Sequence, residues 1–174
     1  MNRISIFFIL IFLWCPATCF PQVSKSSIVN IFHEYVQLNR IAMASAHKDS
    51  PSNKAHDELR IAVETYAENV YNPVLKDAVS LVCDIKDKQI LYEYFQVIVH
   101  TRNSADEYPI FVLGEMFICQ TDIFTEIYKK LPIGEKATVY EAVEWGFKNI
   151  TYQKESELPE YSDLKQKLEQ LKTL

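Results

Sequence analysis

The stretch from Lys88 to Leu131 constrains the fold of this chain more than any other part of it. Its sequence, KQILYEYFQVIVHTRNSADEYPIFVLGEMFICQTDIFTEIYKKL, is typical of three successive helices. The first two are apolar around most of their circumference, a pattern that belongs to helices buried on several sides. We therefore expect the other segments to be amphipathic helices that cover these two.

Apolar residues do recur at helical spacing in the other long segments, and no two-residue hairpin loop separates alternating runs. Predicted helices begin near residues 26, 55, 73, 88, 107, 122 and 136, and a last one follows Pro159 with a stripe of Leu164, Leu168, Leu171 and Leu174. The sequence therefore predicts an all-α fold, a single compact domain of about seven or eight helices.

Local residues predict where several helices begin and end. Ser26 or Ser27 can cap the first helix, and Asp87 can cap the helix that begins near residue 88. Residues 104–107 match the capping-box pattern. The pair Asn72-Pro73 is expected to end the helix that begins near residue 55, because a residue that precedes proline is disfavoured in the helical region.

Two pairs of predicted helices start about 34 residues apart, near 73 and 107 and near 88 and 122. Gly114 and Gly146, each inside a predicted helix, also lie 32 positions apart. An interior glycine destabilises a helix by about 1 kcal/mol, and close approach of a neighbouring helix is the usual compensation. The spacing favours stacked αα-hairpins, as in a short α-solenoid, with an irregular helical bundle as the alternative.

The first nineteen residues, Met1 to Cys19, have the composition of a secretory signal peptide. Arg3 precedes an apolar run of eleven residues, 4–14, and Pro16 precedes the small residues 17–19. The apolar run is too short to span a bilayer. Cleavage is expected after Cys19 or after Ala17, and the residues before Cys19 do not suit a lipid anchor.

This leader predicts a secreted or periplasmic protein with no stable membrane insertion after cleavage. The expected organisation is a signal peptide at 1–19, an all-α domain at 25–150, and a linker with a C-terminal amphipathic helix at 151–174 that packs on the domain.

Export makes the cysteines informative, because cleavage after Cys19 removes Cys15 and Cys19 and leaves Cys83 and Cys119 as the pair in an oxidising compartment. If the helices starting near 73 and 107 stack in parallel, Cys83 lies within one turn of Cys119. The sequence therefore predicts a Cys83–Cys119 disulfide, and two buried free thiols are the alternative.

The formal net charge is −5, and loss of Arg3 with the leader makes it −6. No Lys/Arg stripe is present, so nucleic acid and anionic membrane surfaces are poor partners. Another protein, of basic character, is the partner that this charge favours, although modest acidity alone also serves solubility.

Few residues suggest chemistry. Residues 33–37, HEYVQ, resemble a zinc-peptidase motif but carry Gln where the second histidine is required, so no metal site is predicted. Glu115 is surrounded by apolar residues, and Glu93 lies between two tyrosines. A buried pair of carboxylates could catalyse the hydrolysis of a glycan. The alternative is that each glutamate lies on the solvent-exposed strip of its helix or pairs with a Lys or Arg side chain, and then neither is catalytic.

No phosphate-binding loop, nucleophile elbow or CxxC motif is present, and no cofactor is predicted. These observations favour an exported, acidic, all-helical protein that binds another protein without catalysis, such as an inhibitor or immunity protein for a basic enzyme of the cell envelope. The alternatives are a cell-wall glycan hydrolase that uses Glu115 and Glu93, and a periplasmic carrier or adaptor for an apolar ligand.

Overall fold

The computed structural model describes residues 23–46, 54–101, 106–154 and 161–174, which form one all-helical body without strands, as predicted. Its elements are α1 (Lys25–Ala46), α2 (Lys54–Tyr66), a π-helical segment (Ala67–Tyr71), α3 (Asn72–Cys83), α4 (Lys88–His100), α5 (Tyr108–Cys119), α6 (Thr121–Lys129), α7 (Ile133–Lys154) and α8 (Tyr161–Leu171). The signal peptide, Ser104 and Pro159 lie outside the described residues. Among the described helices, none is both long and apolar enough to cross a bilayer.

The expected break at Asn72-Pro73 is wrong, because α2, the π-helical segment and α3 form one continuous helix. Tyr71 and Asn72 keep right-handed helical backbone angles, and the Asn72 N–H donates to the Ala67 carbonyl oxygen, five residues back. The wider π turn shifts the hydrogen-bond register just before Pro73, whose nitrogen has no hydrogen to donate. The continuous helix therefore accommodates Pro73 directly after a turn whose hydrogen bonds are already shifted.

Contacts along α1 fix the directions of its neighbours. It runs antiparallel to α2 and the π-helical segment, since Ser45 meets His56 while Phe32 meets Tyr71. Helix α1 runs parallel to α4, because Lys25 pairs with Asp87 before α4 and His33 pairs with Glu93 further along it.

Helices α3 and α5 lie side by side and parallel, as the 34-residue spacing suggested. Asn72 Nδ2 donates to Asp106 Oδ2 over 3.3 Å at one end, and Cys83 faces Cys119 at the other. The second pair, α4 and α6, is not parallel. Lys88 at the start of α4 contacts Glu126, whereas Phe95 further along α4 contacts Phe124, which comes earlier in α6. The repeat-like stack is thus limited to α3 and α5.

The two apolar helices of the opening argument, α4 and α5, supply much of the buried core. Four phenylalanines from four helices meet edge to face at its centre, namely Phe95, Phe117, Phe124 and Phe147. The C-terminal helix α8 covers this core with Leu164, Leu168 and Leu171, while Leu174 is partly exposed. Helix α7 continues to Lys154, past the domain boundary expected at residue 150.

At Gly114 of α5 and Gly146 of α7 the backbones of the two helices are in direct contact. A Cβ atom on Gly114 would lie 2.7 Å from the Gly146 carbonyl carbon and 2.8 Å from Ile150 Cδ1. A Cβ atom on Gly146 would collide with the Ile110 carbonyl oxygen. Both glycines are therefore required by backbone-to-backbone contact, which is the compensation expected for an interior glycine.

We predict that Gly146→Ala lowers the free energy of unfolding by about 1–3 kcal/mol, because overpacking outweighs the gain of about 1 kcal/mol in helix propensity. Urea denaturation measures the change. Gly134→Ala is the matched control: the added methyl group meets nothing within 4 Å, so that variant should be as stable as the wild type or more so. Equal stabilities of the two variants would contradict the close packing of α5 and α7.

Helix caps follow the sequence in part. Asp87 Oδ1 accepts the Gln89 and Ile90 N–H groups at 3.0 and 3.1 Å, which confirms the predicted cap of α4. Ser24, and not Ser26 or Ser27, caps α1, since its Oγ accepts the Ser27 N–H. Partial burial tends to raise the pKa of Asp87, but hydrogen bonds from Lys25 and from these backbone groups outweigh it and lower the pKa below 3.8.

Because the folded-state pKa of Asp87 lies below its unfolded value, its contribution to stability is present above the unfolded pKa and is lost as pH falls through the folded one. Asp87→Ala should therefore lower the free energy of unfolding by about 1–2 kcal/mol at neutral pH, and this difference should shrink as the pH falls below about 3.9. Asp84→Ala, at an exposed neighbouring position, serves as control in the same pH series. A difference that does not vary with pH would refute the role of the charged carboxylate.

Candidate functional site

A cavity of about 490 Å³ lies between α1 and the continuous helix formed by α2 and the π-helical segment, and we call it the α1–α2 groove. Its volume falls in the usual range for ligand pockets of about 300–1,000 Å³. Its walls are partly apolar, and its lining comprises Tyr35, Asn39, Ala42, Met43, His56, Arg60, Val63, Glu64, Ala67, Glu68, Asn72 and Asp106.

The floor of the α1–α2 groove carries buried polar atoms without hydrogen-bond partners. Asn72 lines the groove, and its Oδ1 accepts no hydrogen bond although its Nδ2 donates to Asp106. The hydroxyl of Tyr71, the preceding residue, is also buried and unpartnered. Buried polar groups in folded proteins are nearly always satisfied, so two adjacent exceptions require an explanation.

Three buried tyrosines pack behind this floor. The ring of Tyr71 stacks on that of Tyr35 with centroids 4.0 Å apart, and Tyr94 donates its hydroxyl hydrogen to the Pro109 carbonyl oxygen over 2.7 Å. Burial raises the pKa of Tyr71 and of Tyr94 well above the ordinary tyrosine value, so both hydroxyls stay protonated at any physiological pH. The rings give the π-helical segment a rigid support.

The charged side chains that line the groove are mainly acidic. Among the described residues of the lining, one arginine, Arg60, occurs with three carboxylates and pairs with one of them, Glu64. Glu68 lies exposed at the rim, and Asp106 lies at the floor, where its Oδ1 also accepts the Tyr108 N–H. The described carboxylates of the lining therefore outnumber its arginine.

The end of the α1–α2 hairpin projects from the body, and we call residues 41–46 and 54–63 the arm. Helix α2 contains no buried residue and packs mainly on α1 and the π-helical segment. Three large apolar side chains of the arm are exposed: Ile41 by 52%, Met43 by 41% and Ile61 by 54%. An element with so little internal burial gains from a partner that covers it.

A second, more polar groove lies between α1 and α4. His33 Nε2 lies 3.0 Å from Glu93 Oε2, and Arg40 faces the neighbourhood of His100. Desolvation and the charge of Arg40 lower the pKa of His100, against a smaller opposing effect of Glu135. Among the described residues, no group of three candidate ligands could hold a metal ion.

The two carboxylates singled out in the sequence lie on different surfaces. Glu93 is half-buried and faces α1, where it pairs with His33. Glu115 occupies the exposed strip of α5, so it is not a buried carboxylate. No hydrogen bond or ion pair described for either residue joins the two, and none of the described cavities contains both.

Sequence reasoning missed the residues that shape the α1–α2 groove, above all Tyr71, Asn72 and Asp106. One signal could have pointed to them. Helical periodicity continues on both sides of Asn72-Pro73, and a proline inside an unbroken pattern is compatible with a π turn, which often accompanies functional sites. Position 72 and position 106 also have the 34-residue spacing noted for their helices.

Cys83 and Cys119 lie at disulfide distance, with Cα atoms 5.5 Å apart, so their predicted proximity is confirmed. Neither side chain is fully buried. The pair joins the C-terminal ends of α3 and α5, and the Gln120 amide adds a hydrogen bond of 2.7 Å to the Cys83 carbonyl oxygen. The position of this link holds α3, and with it the floor of the α1–α2 groove, against α5.

No known protein family matches the chain, and neither curated proteins nor solved structures show significant similarity to it.

Removal of the Cys83–Cys119 link should lower the free energy of unfolding by about 3–4 kcal/mol, because the bond closes a loop of 36 residues in the unfolded chain. Urea denaturation of the purified protein, with and without reductant, measures the loss. Cys83→Ser/Cys119→Ser provides the control, since its stability should equal that of the reduced wild type and should not respond to reductant. Identical wild-type curves in both buffers would contradict the link.

Proposed function

We propose that this protein is exported and binds another protein without catalysis, and that the arm is its recognition element. The observation that carries the proposal is the structure of α2, which has no buried residue and exposes Ile61, while Ile41 and Met43 are exposed on the neighbouring part of α1. Exposed apolar side chains on an element that buries none of its own residues suit a protein-binding surface.

The charge of the chain supports a basic partner. The mature protein carries a formal charge of −6, as the loss of Arg3 implies. The helix from Lys54 to Tyr71 contributes Asp57, Glu58, Glu64 and Glu68 against Lys54 and Arg60. Such an excess favours rapid association with a basic surface, while the apolar side chains supply affinity. An inhibitor or immunity protein for a basic envelope enzyme fits these two features.

Export is supported by the leader sequence and by the cysteine pair at disulfide distance, since such bonds persist in oxidising compartments. If export occurs as proposed, the intact mass of secreted material should correspond to a chain that begins at Phe20 or Thr18 and is lighter by two hydrogen masses than the reduced form. A retained leader would argue against export.

The glycan hydrolase alternative gains no support from the geometry, because Glu93 and Glu115 do not line a common cleft. Glu93 is engaged with His33, and Glu115 faces solvent on another helix. Canonical pairs of catalytic carboxylates lie within about 10 Å of each other across the scissile bond.

A photoreactive amino acid in place of Ile61 tests the proposal in the cells that produce the protein. We expect one light-dependent adduct with a basic protein, which is then purified for affinity measurements. Ile61→Asp should weaken its binding at least tenfold, the effect of losing about 1.4 kcal/mol at an interface. The matched control is Ile133→Asp, since Ile133 is 87% exposed on another helix.

Three results would contradict the proposal: no adduct from position 61, an equally strong adduct from position 133, or unchanged affinity of Ile61→Asp for the captured protein. An adduct of the protein with itself would also contradict it and would indicate self-association through the arm. Circular dichroism of both aspartate variants verifies that they remain folded, which is expected because both isoleucines are largely exposed.

A further inference from the structure

We propose that a cavity between α4, α5 and α7 binds a small neutral molecule that carries a hydroxyl group on an apolar body. The cavity has a volume of about 210 Å³, and we call it the α4–α7 cavity. No residue of its described lining belongs to the arm, so the inference is independent of the proposed protein partner.

The α4–α7 cavity lies where α7 extends beyond the start of α5. A Cβ atom on Gly146 would meet Ile110, and one turn further along both helices Gly114 meets Ile150, so α5 and α7 run parallel. Thr138 lies about two turns before Gly146, whereas α5 begins less than one turn before Ile110. The surface of α7 at Thr138 therefore has no turn of α5 opposite it, and the end of α4 bounds the remaining space.

The Thr138 side chain differs from the other buried polar side chains of the described helices. The others donate to the carbonyl oxygen four residues back, over 2.7–2.9 Å: Asn39, Thr101, Thr121 and Thr151. Thr138 is 9% exposed, yet its hydroxyl has no hydrogen-bond partner in the described part of the chain. The described polar atoms that are both unpartnered and sealed from solvent belong to Tyr71 and Asn72, so the Thr138 oxygen retains accessible surface.

This hydroxyl identifies the polar group of the ligand. A buried hydroxyl without a partner destabilises the free protein, and a ligand that supplies a hydrogen bond removes that penalty. A hydroxyl group suits Thr138, because each of the two hydroxyls can act as donor or acceptor toward the other. Water is a poorer partner, since a buried water requires roughly two to four polar neighbours and the walls of the α4–α7 cavity are mostly apolar.

The walls and the volume determine the rest of the ligand. The apolar residues of the lining come from all three helices: Ile98, Pro109, Ile110, Ala142 and Trp145. An apolar cavity of about 150 Å³ holds benzene, so a cavity of about 210 Å³ holds about eight non-hydrogen atoms. A molecule the size of benzyl alcohol therefore fits.

The carboxylates of the lining favour a neutral ligand over a charged one. Asp106 and Glu141 both line the α4–α7 cavity, and they repel an anionic group. Both already have partners, which for Asp106 include the Tyr108 N–H and the Asn72 amide, so neither is an uncompensated charge for an ammonium group. Transfer of an unpaired charge to apolar walls is costly for either sign.

The fluorescence of Trp145 measures binding directly. Trp14 lies in the predicted leader, so a protein that begins at Phe20 has Trp145 as its single tryptophan. Titration of that protein with benzyl alcohol, toluene, benzoate and benzylammonium tests the inference. We expect benzyl alcohol to change the fluorescence saturably, with both ions at least tenfold weaker. Equal binding of the alcohol and either ion would overturn the neutral ligand, and no saturable binding of the alcohol would overturn the site.

The variant Thr138→Val keeps the shape of the side chain and removes its hydroxyl. It should weaken benzyl alcohol at least fivefold and leave toluene unchanged or tighter, because toluene makes no hydrogen bond. The matched control is Thr125→Val, since Thr125 lies on α6 and is not part of the described lining. Unchanged binding of benzyl alcohol to Thr138→Val, or an equal loss of both probes, would overturn the role of the hydroxyl.

The variant Ala142→Leu fills the α4–α7 cavity from α7 without removing a polar group. It should abolish binding of benzyl alcohol and of toluene, while urea denaturation verifies that the protein remains folded. Unchanged binding of both probes would place the ligand elsewhere and overturn the proposal. If Ala142→Leu does not fold, the contrast between the two probes in the isosteric Thr138→Val still decides.

Discussion

The backbone contact between Gly114 and Gly146 sets the position of α5, and the rest of the structure depends on that position. Helix α5 can lie this close to α7 only because neither residue carries a side chain. The N-terminal end of α5 then places the Pro109 carbonyl oxygen where the Tyr94 hydroxyl donates a hydrogen bond to it. The same end brings Asp106 to Asn72. A packing constraint in the core therefore determines the polar floor of the α1–α2 groove.

The π-helical segment performs the complementary task from the other side. It carries the chain past Pro73 without a break, and the register shift places Tyr71 inward and Asn72 at the groove. An ordinary break at this proline would have separated α2 from α3 and removed the long wall of the groove. The π turn and the unpartnered polar atoms of Tyr71 and Asn72 thus occur at neighbouring residues. Turns of this kind frequently accompany functional sites.

The sequence predicts the features that depend on local pattern and fails where two distant segments decide the outcome. Helical periodicity correctly predicted the fold class, the Asp87 cap, and the burial of α4 and α5. Parallel stacking of α3 on α5, inferred from spacing, correctly brought Cys83 near Cys119.

The failures have tertiary causes. The expected helix break at Asn72-Pro73 does not occur, because a π turn precedes the proline and packs Tyr71 on Tyr35. Glu115 looked buried because its neighbours in sequence are apolar, yet α5 leaves one strip facing solvent. The groove is missed for the same reason, since its two walls come from α1 and α2 and its floor from Asn72 and Asp106. The exposed apolar side chain Ile61 lies on α2, which contributes no buried residue to the core, so its exposure leaves the packing of α4, α5 and α7 intact.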